Sequence, residues 1–430
     1  MRVLVLGAGV SGLAAARLAR SRGMSVGMYA EAGTASAIGE GFAVADGSWD
    51  PILLHGVDLV VASPGFSERS APVVDTLESG LPLWSEIELA WRHVRSPVAA
   101  VTGTNGKTTV TEAASGMLEA SGLKAPATGN IGSPLSDFAD QEYDALVVEV
   151  SSFQLRFIDE FHPVAAVITN VAVDHLDWHG SEHSYREAKR RIYENQTTDD
   201  LLVFDQEDEG AAAMARGAPS RVVPVSGLRL PERGAGLDDG RLVIGDSEID
   251  IAELASDDPT HLVNMACAGV VALEMGASAD GVVRGAVEYH PGAHRRALVQ
   301  RVDGVDWVDD SKATNPHAAV ASIRAYDSVI LIAGGLAKGL DLAPIAAEPG
   351  IKMLIGIGVS GPSLVEMAGE RGRLAVTMET AVEMAREVAE PGDTVLLAPG
   401  CASFDQFESY ARRGEHFADL VEEKVKGRFA

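Results

Sequence analysis

The chain has 430 residues, 46% hydrophobic and 23% charged, with a formal net charge of −27 from 35 Lys and Arg against 62 Asp and Glu. That composition excludes a disordered or collagen-like chain, and at about 150 residues per domain it implies roughly three domains. The acidic balance excludes nucleic acid and anionic membranes as partners, since both are held by exposed positive patches.

No apolar run reaches the roughly 18–20 residues that cross a bilayer. Two cysteines, Cys267 and Cys401, are too few for a disulfide framework and fit a reducing cytoplasm. The first predicted strand, Val3–Leu6, leads into Gly7-Ala-Gly9-Val-Ser11-Gly12 and a helix over Leu13–Arg20. The N-terminus therefore reads as strand, turn and helix rather than as a signal peptide. Gly7-x-Gly9-x-x-Gly12 has the form of a dinucleotide-binding turn. The second strand, Ser25–Tyr29, ends on Tyr29 where such a site carries an acid, and Glu31 follows two residues later. An NAD ribose contact, and so an oxidoreductase, stays open at this point. The glycines alternatively serve only a tight turn and close helix packing. A strand over Leu59–Ala62 then runs into Ser63-Pro64-Gly65.

Arg92–Pro97 is a charged break before the strand Val98–Val101. Gly103-Thr104-Asn105-Gly106-Lys107-Thr108-Thr109 follows, with a helix expected over Thr109–Ala120. Glycines let backbone N–H groups converge on phosphate oxygens, and a helix N-terminus adds positive partial charge. Lys107 is placed to reach β- and γ-phosphates, and the Thr108 hydroxyl to ligate Mg²⁺. The spacing is shorter than the usual P-loop, with two residues rather than four before Gly-Lys. The strand Leu146–Glu149 ends in a carboxylate suited to Mg²⁺, or simply solvated. The strand Ala166–Thr169 ends before Asn170-Val-Ala-Val-Asp174-His175-Leu-Asp177, where His175 fits a metal or phosphate role. The helix Tyr185–Tyr193 is basic, and on spacing alone Lys189 belongs to a charged solvent face. Residues 205–260 are acidic and glycine-rich and read as a small β excursion.

His290-Pro291-Gly292-Ala293 breaks the pattern before the last third. There the strand Val329–Ala333 leads into Gly334-Gly335-Leu-Ala-Lys338. Lys338 suits a carboxylate ligand, or is a solvated loop lysine. Alternating strands and helices give an α/β fold class with three domains. These are a Rossmann-like N-terminal domain over 1–95, a central P-loop mononucleotide-binding ATPase domain over 96–293, and a Rossmann-like C-terminal domain over 294–430.

In combination, several motifs resemble the Mur ligase family of ATP-dependent amide ligases in peptidoglycan precursor synthesis. They are Thr102-Gly-Thr-Asn-Gly-Lys-Thr-Thr109, Thr128-Gly-Asn130-Ile-Gly132, Glu149-Val-Ser-Ser-Phe-Gln-Leu155, Thr169-Asn-Val and Asp174-His-Leu-Asp177. The last third adds His294-Arg295, Asp310-Ser-Lys-Ala-Thr-Asn315 and Cys401-Ala-Ser-Phe-Asp-Gln-Phe407. Tyr185–Tyr193 is similar to the helix that carries the family's carbamylated lysine. The Ser63–Gly65, Gly334–Lys338 and Cys401–Phe407 loops look most like the D-glutamate-adding branch.

The resemblance implies ATP contacts from Gly103, Thr104, Asn105, Gly106, Lys107, Thr108, Thr109, Asn264, Arg295 and Asp310. It implies two Mg²⁺ ions, one on Thr108 and Glu149, the other on His175 and a carbamate of Lys189. Lys107, Glu149, His175 and Lys189 would then be the catalytic set. UDP-N-acetylmuramoyl-L-alanine would meet Gly9, Ser11, Gly12, Ser63, Pro64, Gly65, Asn130, Ser151 and Gln154. D-glutamate would meet Lys312, Thr314, Lys338, Ser403 and Tyr410. The implied enzyme is a cytoplasmic monomer acting on small molecules. One departure is His261, which stands where the family often has Asn; another is Tyr410 in place of a common Phe. The alternatives are another Mur or folylpolyglutamate-type ligase, an oxidoreductase, or a nucleotide sensor without turnover.

Overall fold

The structure is a computed structural model that describes residues 1–425. It is α/β, as the alternation in sequence implies, with three sheets of mainly parallel strands. By compactness the chain divides into two units: Met1–Ala172 with Trp178–Tyr289, and Val173–Asp177 with His290–Ala430.

The first unit holds two sheets. Five parallel strands run in the order Ala43–Asp46, Ser25–Ala30, Arg2–Leu6, Leu59–Ala62 and Leu83–Ser85. The helix Val10–Ser21 follows the central strand and buries Leu13, Ala15, Ala16, Leu18 and Ala19. The second sheet has nine strands. Val98–Thr102 lies between Ala165–Ile168 and Leu146–Glu149, with Ala127–Gly129 at that edge. Each residue of Val98–Thr102 is buried, which suits a parallel strand covered on both faces. On the other side come Leu201–Asp205, Arg221–Ser226 and Ala235–Asp238, and then an antiparallel pair, Arg241–Ile244 and Ser247–Asp250. The acidic segment is therefore part of this sheet, but it also holds a helix, Glu209–Ala215, that the β reading misses. Asp208 starts that helix by accepting from the Ala211 N–H at 2.7 Å.

A buried carboxylate ties the two sheets of this unit together. Glu88 is 0% exposed and accepts the main-chain N–H groups of Asp159, Glu160 and Phe161 at 2.9, 3.1 and 2.9 Å. Arg92 neutralises it at 2.6 Å. Hydrogen bonds to a charged acceptor contribute about 1.5–3 kcal/mol each, so this anchor outweighs any exposed ion pair nearby.

The second unit holds a six-stranded sheet in the order Ala297–Val302, Val305–Asp309, Thr394–Leu397, Val329–Gly334, Ile351–Ile357 and Gly372–Val376. The first pair is antiparallel and the rest are parallel. Val329–Gly334 is buried throughout and forms the core with Leu354, Ile355 and Leu396.

Candidate active site

In the first unit the helix Lys107–Ala120 begins two residues earlier than its apolar spacing indicates. Gly106 is its N-cap, at φ 82°, and this places Lys107 and Thr108 in the first turn. A side chain at 106 would be strained by that φ, and its Cβ would stand 2.6 Å from Asn264 Oδ1. Asn264, expected at ATP, thus abuts the glycine loop. It sits on the helix Pro259–Glu274, started by Asp258. His261 on the same helix is buried and stacks on Tyr289 at 6.3 Å.

Thr169 and Asn170 clamp the loop. The Thr169 hydroxyl donates to Asn105 O at 2.5 Å, and Asn170 Oδ1 accepts the Asn105 N–H at 2.9 Å. Asn170 O accepts the Thr104 N–H at 2.9 Å. Held by this strand end, the loop fixes the start of the helix Lys107–Ala120, whose first-turn N–H groups are the ones suited to an anion.

The cations of the site converge on one carbonyl. Lys107 Nζ donates to Gly103 O and Thr104 O, both at 2.9 Å. Lys189 Nζ donates to Gly103 O at 2.6 Å and lies 4.7 Å from the Tyr185 ring centroid. Lys189 is 1% exposed, which corrects the reading of a solvated charged face. Tyr185, Ala188, Lys189, Ile192 and Tyr193 are all buried, a helical i, i+3, i+4, i+7, i+8 stripe. The aromatic and aliphatic members of that stripe were the signal in the sequence. The Tyr185 hydroxyl lies 3.0 Å from Thr104 Oγ1, a contact that sequence reasoning does not supply.

Glu149 ends its strand 2% exposed. Its Oε2 accepts the Thr108 hydroxyl at 2.7 Å and its Oε1 the Asn130 side-chain amide at 2.8 Å. Three expected residues thus meet at one carboxylate. Ser151 and Gln154 are buried and bonded to each other, forming the capping box of the short helix Ser152–Arg156. A hydroxyl and a carboxylate beside a glycine loop are hard oxygen donors, and they fit Mg²⁺, which takes one or two protein ligands and leaves the rest to water and phosphate. Among the described residues no group of three or more His, Cys, Asp or Glu is assembled for a metal.

At the first sheet, Gly9 is the N-cap of the helix Val10–Ser21. Ser63 lies against Gly7 and Gly12, and its buried hydroxyl has no hydrogen-bond partner among the described residues. Trp178 Nε1 donates to Pro64 O at 3.1 Å. Tyr29, where a dinucleotide site carries an acid, is buried with its hydroxyl donating to Gly47 O at 3.0 Å. Glu31 is exposed.

In the second unit His175 has φ 52°, its N–H donating to Asp174 Oδ1 at 2.8 Å, while Asp174 Oδ2 accepts from Asn315 at 3.1 Å. Asp310 is half-buried, and the loss of water around it pushes its carboxyl up to about 6; its Oδ1 accepts the Arg296 N–H at 3.2 Å. Lys312 Nζ stands 3.9 Å over the Tyr410 ring, and Lys338, at φ 51°, lies 5.8 Å from the Phe404 ring. Ser403 is buried. Arg413 was missed from sequence. It is 1% exposed and donates to Ser311 Oγ, Ser311 O and Cys401 O at 2.9, 2.9 and 3.1 Å. Burial pulls its guanidinium down to about 10. In the run Ala411-Arg-Arg-Gly414 nothing marks which arginine turns inward.

Residues 101–229 match the Mur ligase middle domain, and residues 294–401 the Mur ligase, glutamate ligase domain. A relative from Frankia casuarinae, named UDP-N-acetylmuramoylalanine--D-glutamate ligase, is 39% identical over 97% of this chain and 93% of its own. The chain belongs to the Mur ligase family. A relative of the same name from Streptomyces avermitilis is 37% identical and covers 97% of each chain. The pseudomurein peptide ligase type C from Methanothermus fervidus superposes on this Mur ligase with a TM-score of 0.65, covering 98% of this chain and 99% of that one. At 18% identity it speaks to the fold alone. Among the described residues of this Mur ligase, no helix is long and apolar enough to cross a membrane.

Proposed function

We propose that the chain is an ATP-dependent ligase that joins D-glutamate to UDP-N-acetylmuramoyl-L-alanine, as a cytoplasmic monomer supplying a peptidoglycan precursor. The relatives at 37–39% identity over 97% of the chain carry that name and support the substrates. One observation carries the chemistry: Glu149 is bonded to Thr108 and Asn130, beside a glycine loop on which Lys107 and Lys189 converge. A nucleotide sensor without turnover has no need of that carboxylate, and the end of the second strand lacks the acid an NAD site needs.

In this reading the L-alanyl carboxylate attacks the γ-phosphorus of ATP, ADP leaves, and an acyl phosphate forms. The D-glutamate amine then adds to the acyl carbon, phosphate departs with its bonding pair, and the amide remains. Lys107 offsets charge on the transferring phosphoryl group. Thr104 and Asn105 give their N–H groups to Asn170 and, with Gly103 and Gly106, shape the ATP loop, while the first-turn N–H groups of Thr108 and Thr109 serve the phosphates, and Asn264, Arg295 and Asp310 contribute to the nucleotide. Mg²⁺, when bound, offsets phosphate charge, with Thr108 and Glu149 holding one ion. A carbamate on Lys189 would give the oxygen donors that Mg²⁺ prefers, with His175 as its companion for a second ion. The orphan Ser63 hydroxyl and the Gly9–Gly12 turn suit the uridine diphosphate part, with Ser11, Pro64 and Gly65 around them, and Asn130, Ser151 and Gln154 toward the sugar and peptide. Lys312, Thr314, Lys338, Ser403 and Tyr410 suit the amino acid. Residues 1–95, 96–293 and 294–430 would then take the uridine nucleotide, ATP and the amino acid.

The test is ATP-dependent phosphate release with UDP-N-acetylmuramoyl-L-alanine, comparing D-glutamate, L-glutamate, L-alanine and diaminopimelate. Release that requires D-glutamate is expected. Release with a different amino acid would keep the ligase and replace its substrate, and none with any would overturn the reading.

A further inference from the structure

His294 opens the last third of the chain and has no role in the scheme above. Its Nδ1 lies 2.6 Å from Asp309 Oδ2, and both side chains are largely buried, at 14% and 4% exposure. Asp309 is itself fixed, since its Oδ1 accepts the Ser311 N–H at 2.8 Å. His294 adopts φ 63°, an uncommon conformation for a non-glycine residue. The helix Tyr410–Lys424 closes over the pair at Gly414. There a Cβ would come within 2.2 Å of His294 Nδ1 and 2.6 Å of Asp309 Oδ2, so no larger residue fits. Backbone, carboxylate and helix together fix this imidazole.

A carboxylate on Nδ1 holds the proton there and leaves Nε2 as the basic nitrogen. Nε2 has no hydrogen-bond partner among the described residues. The ring lies edge-on to Tyr410 at 6.3 Å, and His294 O accepts the Lys312 N–H at 3.1 Å. Two residues proposed for the amino acid therefore surround it, and Arg295 is its chain neighbour.

The proposed amide-forming step requires a base. An amino acid arrives as an ammonium, which has no lone pair to attack with. We propose that His294, held by Asp309, accepts the proton that frees the amine of the incoming amino acid. This rests on the ligase reading. The ammonium N–H bond breaks, its proton goes to Nε2, and the imidazolium is stabilised by Asp309. The neutral amine attacks the acyl phosphate. The nitrogen sheds a second proton as the amide forms, and the leaving phosphate carries it away. No external oxidant or co-reactant enters. The charged and titratable groups on the segments that meet His294 are Asp309, Lys312 and Tyr410 in contact with it, its chain neighbours Arg295 and Arg296, Asp310 beside Asp309, and Arg413 beside Gly414.

The experiment separates the two half-reactions in the full-length enzyme. With ATP, Mg²⁺ and UDP-N-acetylmuramoyl-L-alanine, hydroxylamine traps the acyl phosphate as a hydroxamate. Hydroxylamine is largely unprotonated at neutral pH and needs no base. In His294→Gln, hydroxamate formation should stay within about threefold of wild type, while amide formation with D-glutamate falls about 10²–10⁴-fold, the usual span for a lost general base. The amide rate should recover toward alkaline pH, and added imidazole should restore part of it in His294→Gly. Asp309→Asn should show the same split more weakly, and it serves if the His294 variants do not fold. An amide rate within threefold of wild type would overturn the proposal. So would an equal loss of hydroxamate and amide, which would assign the pair to structure or ATP. No hydroxamate from wild type would overturn the ligase reading, and this proposal with it.

Discussion

Lys107 and Lys189 donate to the same oxygen, the carbonyl of Gly103, at 2.9 and 2.6 Å. One comes from the first turn after the glycine loop, the other from the buried face of Glu182–Arg190. Lys107 brings its ammonium to the phosphate end of the loop, and Lys189 brings its side-chain nitrogen to the same carbonyl, where a carbamate would stand beside the phosphates. Lys107→Ala should lower phosphate release by about 10²–10³ or more. Its melting temperature and circular dichroism should stay close to those of wild type, since its bonds to Gly103 O and Thr104 O are local to the loop. Near-normal turnover would remove Lys107 from phosphoryl transfer.

Lys189→Ala tests the second lysine. Its activity should collapse, and a short-chain carboxylic acid added to the assay should restore part of it if carboxylate oxygens normally stand at this position. Full activity without any additive would eliminate the carbamate.

Gly106→Ala adds one methyl group where φ is 82° and Asn264 Oδ1 would lie 2.6 Å away. Strain of about 1–3 kcal/mol is expected from such a conformation. The loop must shift, so the KM for ATP should rise about tenfold or more in initial-rate assays, with less effect on the KM for D-glutamate. An unchanged KM for ATP would separate this loop from the nucleotide.

Glu86 gives a pH prediction away from the chemistry. It is buried on the helix Glu86–Trp91, with Oε1 accepting the Ser136 N–H at 2.7 Å and Oε2 without a partner among the described residues. Burial, aided by nearby Asp137, raises its carboxyl from 4.5 to about 7. The protonated form is favoured in the fold. Its contribution is therefore complete below about pH 4.5 and is lost as pH rises through about 7. The loss is on the order of 3 kcal/mol. Urea unfolding of wild type should show this decline relative to Glu86→Gln, which cannot ionise. Parallel curves across that range would refute it.

Much of this architecture was legible in the chain itself. The strands at Val3, Val98, Leu146 and Val329 are short, β-branched or leucine-rich runs ending at glycine or a carboxylate, and burial on both faces leaves few other states for them. The loop Gly103–Thr109 is written in consecutive residues, so its chemistry could be read without a fold. Lys189 could not be read as reliably. Its helix is mostly charged, and the buried stripe becomes decisive only when Gly103 O stands opposite it. Long-range partners decided the rest: Thr169 and Asn170 on the glycine loop, Asn130 on Glu149, Arg413 on Ser311, and Asp309 on His294. Each joins residues far apart in sequence or on separate elements, and sequence periodicity records which face of an element is buried but not what it meets. Local pattern determined the elements and the glycine loop, because backbone sterics and apolar spacing act over a few residues. Tertiary packing decided which polar side chains were withdrawn from water and paired, because the cost of burying a charge depends on the partner that packing brings to it.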